Sequence, residues 1–535
     1  MPSIKLLDCT LRDGGFLNDW EFGYDHIINI FDRLVRAKID IIEVGFINNA
    51  RAYDKNRSIF PNGLAIDQSF EKLKSHHAMI VGMIDYGTCS IENIQPASES
   101  YMDGIRVIFK KEKMAEALAF CGELKNLGYD VFVQAVSITS YADDEFFQLI
   151  ELVNELEPYG FSVVDTYGLL HKEELNHYFR IADERLQPDI RLGYHSHNNF
   201  QLAYANCISL LENPPVQREL IVDGTLYGMG KGAGNAPLEL LAMYINDHIR
   251  PKYNLEHILE SIATSILPLY GKNQWGYSLS FFISALQKCH PSYTSFLMAK
   301  RTLSIASIYE ILGGISQDKK LSFDENHIEE LYLQNQTIVC NDREDILKLS
   351  QLWAGKKILL IGSGTSIKKD NLNIQAFIDR EKPVVVAVNF LPDSFDVDYL
   401  FISNSRRYVE LSSKLKVLDF NLKLIGTSNI TPKEKHFDFT LQFGSLMDEQ
   451  AQFYDNPLIL LLKLLNRIPV EKVSLAGFDG YSTSNQPDYV NPKMEYSFTK
   501  QKAVEINQDT KNSLSRLGLH IETEFITESH YQTVL

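Results

Sequence analysis

A chain of 535 residues exceeds what one hydrophobic core usually supports, which predicts two domains. Hydrophobic residues make up 45% and charged residues 23%, the balance of an ordinary globular protein with material for large cores. The formal net charge is -17 and the acidic residues are scattered, which argues against nucleic acid as a partner, because phosphate binding needs a concentrated basic face; small anionic substrates remain open.

Six cysteines lie far apart, at Cys9, Cys89, Cys121, Cys207, Cys289 and Cys340, with no CxxC pair to suggest a zinc knuckle or a disulfide framework. The N-terminal stretch MPSIKLLDCTLRDGG has no apolar signal region, and no run approaches the roughly 18 apolar residues of a membrane span. The expectation is a cytoplasmic protein with no membrane partner.

From the start to about residue 246, short apolar runs alternate with segments of helical period. Predicted strands are Ile4–Cys9, Ile41–Gly45, Met79–Ile84, Gly104–Phe109, Asp130–Val136, Ser162–Asp165, Arg191–Tyr194 and Leu220–Val222. Predicted helices between them are His26–Lys38, Met114–Leu127, Glu145–Leu156, Lys172–Leu186 and Leu202–Leu211. Near-continuous apolar strands fit a parallel sheet buried on both faces, and a count of eight selects a closed (β/α)₈ barrel, or TIM barrel, over a doubly wound sheet. This domain is assigned to 1–250.

The stretch 251–340 reads as a helical extension that caps the barrel mouth or mediates self-association; WGYSLSFFISALQKCHPSY and RTLSIASIYEILGGI carry apolar residues at helical spacing. VCNDREDILKLSQLWAG reads as a link between the two halves. A second α/β pattern occupies 341–535. Here KKILLIGSG, PVVVAVNF, DYLFISN, LKLIGTS and KVSLAGFDG are strands of an open Rossmann-like sheet.

Barrel chemistry clusters where strands end at the carboxyl rim. The first strand ends in DCTLRDGG, the second in Glu43-Val44-Gly45, the sixth in Asp165-Thr166-Tyr167-Gly168 and the seventh in His195-Ser196-His197-Asn198-Asn199. The eighth gives Asp223-Gly224-Thr225 and then GMGKGAGN up to Asn235. His195 and His197 are two apart on a strand and so share a face. With the Asp13 carboxylate they form a mixed nitrogen and oxygen site for a borderline-to-hard divalent ion, which can polarise the carbonyl of a 2-oxo acid. Arg12 lies beside Asp13, suited to an enolate oxygen or a carboxylate. The glycines before Asn235 let backbone approach, and its amide oxygen is a further ligand. Each piece also has a bland reading, as polar strand residues, a structural ion pair or a flexible loop.

TLRDGG, HSHNN and DGTLYGMGKGAGNAPLE together resemble the DRE-TIM metallolyase superfamily over about residues 1–250. The GMGKGAGNAPLE version is most similar to the 4-hydroxy-2-oxovalerate aldolases. The resemblance implies a carbon–carbon lyase acting beside a 2-oxo acid, with Asp13, His195, His197 and Asn235 around Mn²⁺ or Mg²⁺. It implies Arg12, Glu43 and Asp165 as catalytic residues, a small 2-oxo acid as substrate, and a homo-oligomer. One departure stands out: those aldolases carry a catalytic histidine where this chain has Phe16, so a base must come from elsewhere, with Asp85, Tyr167, His171 and Tyr277 as candidates. A Claisen-type acyl-CoA-dependent synthase and a degenerate barrel serving as a binding scaffold are the alternatives.

Gly362-Ser363-Gly364-Thr365-Ser366 follows a strand, a geometry in which backbone N–H groups can cradle phosphate, or simply a tight turn. The strand series and the late FITESHY loosely resemble bacterial sialyltransferase-like and MptE-like Rossmann domains. That resemblance implies a nucleotide or nucleotide-sugar contacting Gly362, Gly364, Ser366 and Asn389.

Overall fold

The computed structural model describes residues 3–73, 75, 77–216, 218–417, 422–430, 437–484, 486–494 and 500–534. The chain separates into two compact units, Met1–Pro291 and Ser292–Leu535. This boundary falls inside the stretch read as a helical extension.

In the first unit eight parallel strands close into a barrel: β1 Ile4–Asp8, β2 Ile41–Ile47, β3 Met79–Asp85, β4 Gly104–Phe109, β5 Asp130–Ala135, β6 Gly160–Asp165, β7 Arg191–Ser196 and β8 Leu220–Gly224. Closure comes from β1, which pairs with β8 on one side and β2 on the other. A two-residue strand, Ile59–Phe60, adds to the edge of β2. Helices cover the outside: α1 Tyr24–Arg36, α2 Gly63–Phe70, α3 Met114–Asn126, α4 Asp143–Leu156, α5 Lys172–Arg185, α6 Ala203–Glu212 and α7 Leu238–His248. The five predicted helices are among them. The crossover from β3 to β4 is made by two short 3₁₀ turns instead of an α-helix.

The barrel interior is layered by the two-residue period of its strands. Leu7, Ile41, Val81, Phe132 and Ile221 form an apolar lower layer. Two positions further along, Glu43, Gln134 and Asp223 join Arg106 and His195 in a buried polar layer beneath the carboxyl rim. The core therefore ends where the chemistry begins.

After α7, the segment up to Pro291 adds helices Leu255–Ser261 and Leu279–Leu286. Its Trp275 is buried between Tyr227 and Tyr270 and donates to the Tyr227 carbonyl at 2.9 Å, which braces the loop leading to Lys231.

The second unit holds an open sheet of seven parallel strands: β9 Lys357–Ile361, β10 Val384–Val388, β11 Tyr399–Ile402, β12 Lys423–Thr427, β13 Phe439–Leu441, β14 Lys472–Ala476 and β15 Thr523–Phe525. Their order is β13-β12-β11-β10-β9-β14-β15, so the strand order reverses at β9. The segment read as a link forms helix Arg343–Trp353. It is no free linker: Trp353 is fully buried 5.1 Å from Tyr399, and Asp342 and Asp345 accept backbone N–H groups of the β13 region. No helix among the described residues is long and apolar enough to cross a membrane.

Candidate metal centre at the barrel mouth

Asp13 stands on the single helical turn Thr10–Asp13 that follows β1. His195 lies on β7, His197 just past its end, and Asn235 on the loop after β8. The structure brings all four together. His195 Nε2 lies 3.3 Å and His197 Nε2 3.7 Å from Asp13 Oδ2, and the two rings are nearly perpendicular with centroids 5.1 Å apart. Potential ligand atoms of Asp13, His195 and His197 all fall within 4.8 Å of one another.

Each imidazole is aimed from behind. His195 Nδ1 is 3.0 Å from Asp223 Oδ2 and His197 Nδ1 is 3.1 Å from the Lys231 carbonyl. Both partners only accept, so each Nδ1–H donates and each Nε2 lone pair is left pointing at Asp13. Asn235 Nδ2 donates to Asp13 Oδ2 at 2.7 Å. Asp13 Oδ1, 3.5 Å from Arg12 Nη1, and Asn235 Oδ1 are buried without a hydrogen-bond partner among the described residues. Two orphaned oxygens beside two free imidazole lone pairs fit a divalent cation, since buried polar atoms are otherwise paired.

Charge supports the same fit. Arg12 Nε donates to Glu43 Oε2 at 2.7 Å, and Arg106 reaches both Glu43 and Asp223. Three carboxylates, Asp13, Glu43 and Asp223, thus face two guanidiniums, so neutral imidazoles leave the buried layer one charge short of neutral. The field holds Asp13 well below the usual carboxylate range despite burial, through Arg12 and the histidines. Burial pushes His197 down to about 4, whereas hydrogen bonds to Asp13 and Asp223 raise His195.

Glu43 bridges Arg12 and Arg106 and is fully buried, so it positions Arg12 and touches no reacting group. Asp165 ends β6 and is buried. Its carboxyl accepts the N–H groups of Leu169 and Leu170 at 2.8 and 3.0 Å, tying down the turn after β6. Burial pushes its pKa up to about 6.

The four candidate bases separate. Asp85 ends β3 at the rim, facing Lys110 and Lys231. Tyr167 is buried and its hydroxyl is pushed up to about 12. His171 caps α5 and its ring packs 5.7 Å from Phe200, in a side depression with Glu173 and His177. Tyr277 is 62% exposed and packs on Phe282.

Sequence reasoning missed Arg106, Lys231 and His290 as site residues and gave Asp223 no role. A charged residue inside the apolar run GIRVIF was the available signal for Arg106. His290, next to last in the first unit, stacks edge-on against Tyr167 at 6.2 Å. Burial, with Lys231 and Lys110 nearby, pushes it down to about 4. Phe16, 42% exposed, joins Trp20 and Phe46 in an aromatic wall, with Lys231 Nζ 5.3 Å from its ring.

In the second unit, the polar groups of the expected nucleotide contacts are committed internally. Gly362 N–H donates to Ala476 O and Gly364 N–H to Gly477 O, both at 2.8 Å, and Ser366 gives its N–H and hydroxyl to Asp479. The Asn389 side chain bonds Ser403 at 2.9 and 3.2 Å. The glycine turn is closed by a carboxylate of its own chain and offers none of these three N–H groups to phosphate.

Residues 3–264 match the model of the HMGL-like family. An oxaloacetate decarboxylase of Mycobacterium tuberculosis is 26% identical over 297 residues, covering 53% of this chain and 84% of its own. A 4-hydroxy-2-oxovalerate aldolase of Thermomicrobium roseum is 25% identical over 273 residues, covering 50% and 73%. A 2-isopropylmalate synthase of Staphylococcus carnosus is 26% identical over 289 residues, covering 50% and 53%.

Proposed function

We propose that the N-terminal unit, an HMGL-like barrel over residues 3–264, is a divalent-metal-dependent aldolase that makes or breaks the carbon–carbon bond next to a 2-oxo acid. The observation that carries this reading is the donor set itself. Two imidazoles, held in the right tautomer, and two orphaned oxygens of Asp13 and Asn235 converge at the rim. Mn²⁺ or Mg²⁺ there supplies a Lewis acid for the 2-oxo acid carbonyl.

The chain's own residues do the rest. Arg12, fixed by Glu43 and with Nη1 3.5 Å from Asp13 Oδ1, would balance charge developing on the enolate oxygen. Trp20 and Phe46 wall that charge from water. His290 is the proton acceptor in this reading: its pKa near 4 keeps it neutral, and its ring packs on Tyr167 of the turn after β6, in the role that Phe16 cannot fill. It takes a proton from the methyl carbon of pyruvate. That carbon then bonds to the aldehyde carbon, and the aldehyde oxygen gains a proton, giving a 4-hydroxy-2-oxo acid; cleavage runs the same steps backward.

Relatives named as decarboxylase and synthase keep two other outcomes in view, separated by carbon dioxide release from oxaloacetate for the first and by the site of deuterium exchange for the second. With Mn²⁺ or Mg²⁺, the protein exchanges the methyl protons of pyruvate for deuterium without acetyl-CoA. Deuterium entering the methyl group of acetyl-CoA instead of pyruvate favours the Claisen synthase, whose enolate comes from the acyl-CoA, and exchange into neither under any condition favours a scaffold. His290→Ala slows exchange at least tenfold.

A second reading concerns the other unit. A crevice opens at the carboxyl ends of β9, β10 and β14, where the strand order reverses, the usual ligand position in open α/β sheets. Arg301, Asn404, Asp455 and Tyr481 line it. A nucleotide or nucleotide-sugar there would be held by these side chains, not by the glycine turn. Calorimetric titration of the full chain with a nucleotide panel tests this; no heat with any member removes it.

A further inference from the structure

The barrel mouth carries two ammonium groups that the fold itself does not use. Lys110 follows β4 directly and Lys231 sits on the loop after β8, so both belong to the carboxyl rim. Among the described residues neither Nζ has a carboxylate within 4 Å or a hydrogen-bond acceptor. Lys110 is exposed and Lys231 half-buried, and elsewhere in this unit half-buried lysines are paired: Lys5 with Glu219 at 2.9 Å, Lys252 with Asp40. An ammonium taken partly out of water without a counterion costs free energy, so it persists where a ligand supplies the charge.

The surroundings sharpen this. Lys231 Nζ lies 5.3 Å over the ring of Phe16, which shields it on one side and leaves the pocket side open. Burial depresses its pKa, with Lys110 and Arg12 pushing the same way and only Asp13 and Asp85 opposing. Asp85 feels Lys110 and Lys231 together, and His290 feels both as well, so the four groups share one region of the rim. Cations thus outnumber carboxylates above the metal ligands, whereas below them Arg12 and Arg106 are already matched by Glu43 and Asp223. The aromatic wall of Phe16, Trp20 and Phe46 touches both regions, with Arg12 5.8 Å from the Phe46 ring and Lys231 5.3 Å from that of Phe16.

We propose that Lys231 and Lys110 select an acceptor aldehyde bearing a negative group, a carboxylate or a phosphate ester, remote from its carbonyl. The inference rests on the aldolase reading and names its partner substrate. In the aldolase reading the divalent ion would take the carbonyl and carboxylate oxygens of pyruvate and Arg12 its enolate oxygen, so a further anion is what these lysines receive. The aldehyde lies along the aromatic wall, and its distal charge meets Lys231 first.

The test uses the full chain with Mn²⁺ and pyruvate, and matched acceptors: succinic semialdehyde against butanal, and glycolaldehyde phosphate against glycolaldehyde. The charged member of at least one pair has the higher kcat/KM by about 10- to 100-fold, the worth of one charge-assisted hydrogen bond. Which pair shows it tells carboxylate from phosphate. Lys231→Met and Lys110→Met shrink that ratio toward one. Equal use within both pairs, or a ratio unmoved in both variants, overturns the inference while pyruvate exchange in the unaltered protein leaves the aldolase reading standing. Binding provides a readout free of turnover. 2-Oxoadipate, which places a carboxylate where the product's tail would lie, binds about tenfold or more tighter than 2-oxohexanoate. Equal dissociation constants overturn the inference even in a protein that exchanges no protons.

Discussion

Asp223 Oδ2 lies 3.0 Å from His195 Nδ1 and also receives Arg106, so one buried carboxylate both sets the imidazole tautomer and closes the charge network beneath it. Asp223→Ala removes the acceptor that keeps Nε2 unprotonated toward Asp13. Mn²⁺ affinity then falls about 10- to 100-fold, the usual effect of removing the partner behind a histidine ligand. Asp223→Asn, which keeps an acceptor oxygen, recovers part of it. Calorimetric Mn²⁺ titration of the three proteins checks this order.

Arg106 has a different task, because it is the shared counterion of Glu43 and Asp223 in a fully buried layer. Arg106→Met leaves Asp223 without a guanidinium and Glu43 with Arg12 alone, and costs roughly 3–5 kcal/mol of stability, the range for breaking a buried pair. Urea unfolding of the full chain measures it. A cost below about 1 kcal/mol would place these charges in water and contradict the buried network.

Asp8 predicts a pH dependence whose sign is fixed. Burial, with Glu43 and Asp223 nearby, raises its carboxyl from 3.8 to about 7, outweighing the hydrogen bonds from Thr10. Its stabilising contribution is complete below about 3.8 and is lost as pH rises to about 7, because the unfolded chain ionises first. Asp8→Asn does not titrate. The stability of the unaltered protein relative to Asp8→Asn therefore declines between pH 4 and 7 and levels off above; thermal unfolding across that range records the difference curve.

The barrel was legible because parallel strands buried on both faces leave continuous apolar runs, such as IIEVGFI and SVVD, at regular spacing. Asp13, His195 and His197 were legible because strand ends fix direction. What escaped is non-local. Asp479 closes the glycine turn from 113 residues away, so GSGTS looked like a phosphate cradle. Asp165 sits at a strand end like a catalytic residue, yet its oxygens face the next turn. His290 lies between two helices, and only folding brings its ring against Tyr167, 123 residues earlier. The aromatic cluster of Phe16, Trp20 and Phe46 likewise joins residues whose spacing carries no period.

The central claim is that Asp13, His195 and His197 hold one divalent ion, and electron paramagnetic resonance of added Mn²⁺ addresses it most directly. The unaltered protein should bind one Mn²⁺ per chain with nitrogen couplings from two imidazoles, and Asp13→Asn should weaken binding about 100-fold or more while the protein stays folded. Binding of equal strength in Asp13→Asn, or a Mn²⁺ signal without nitrogen coupling, would contradict the account.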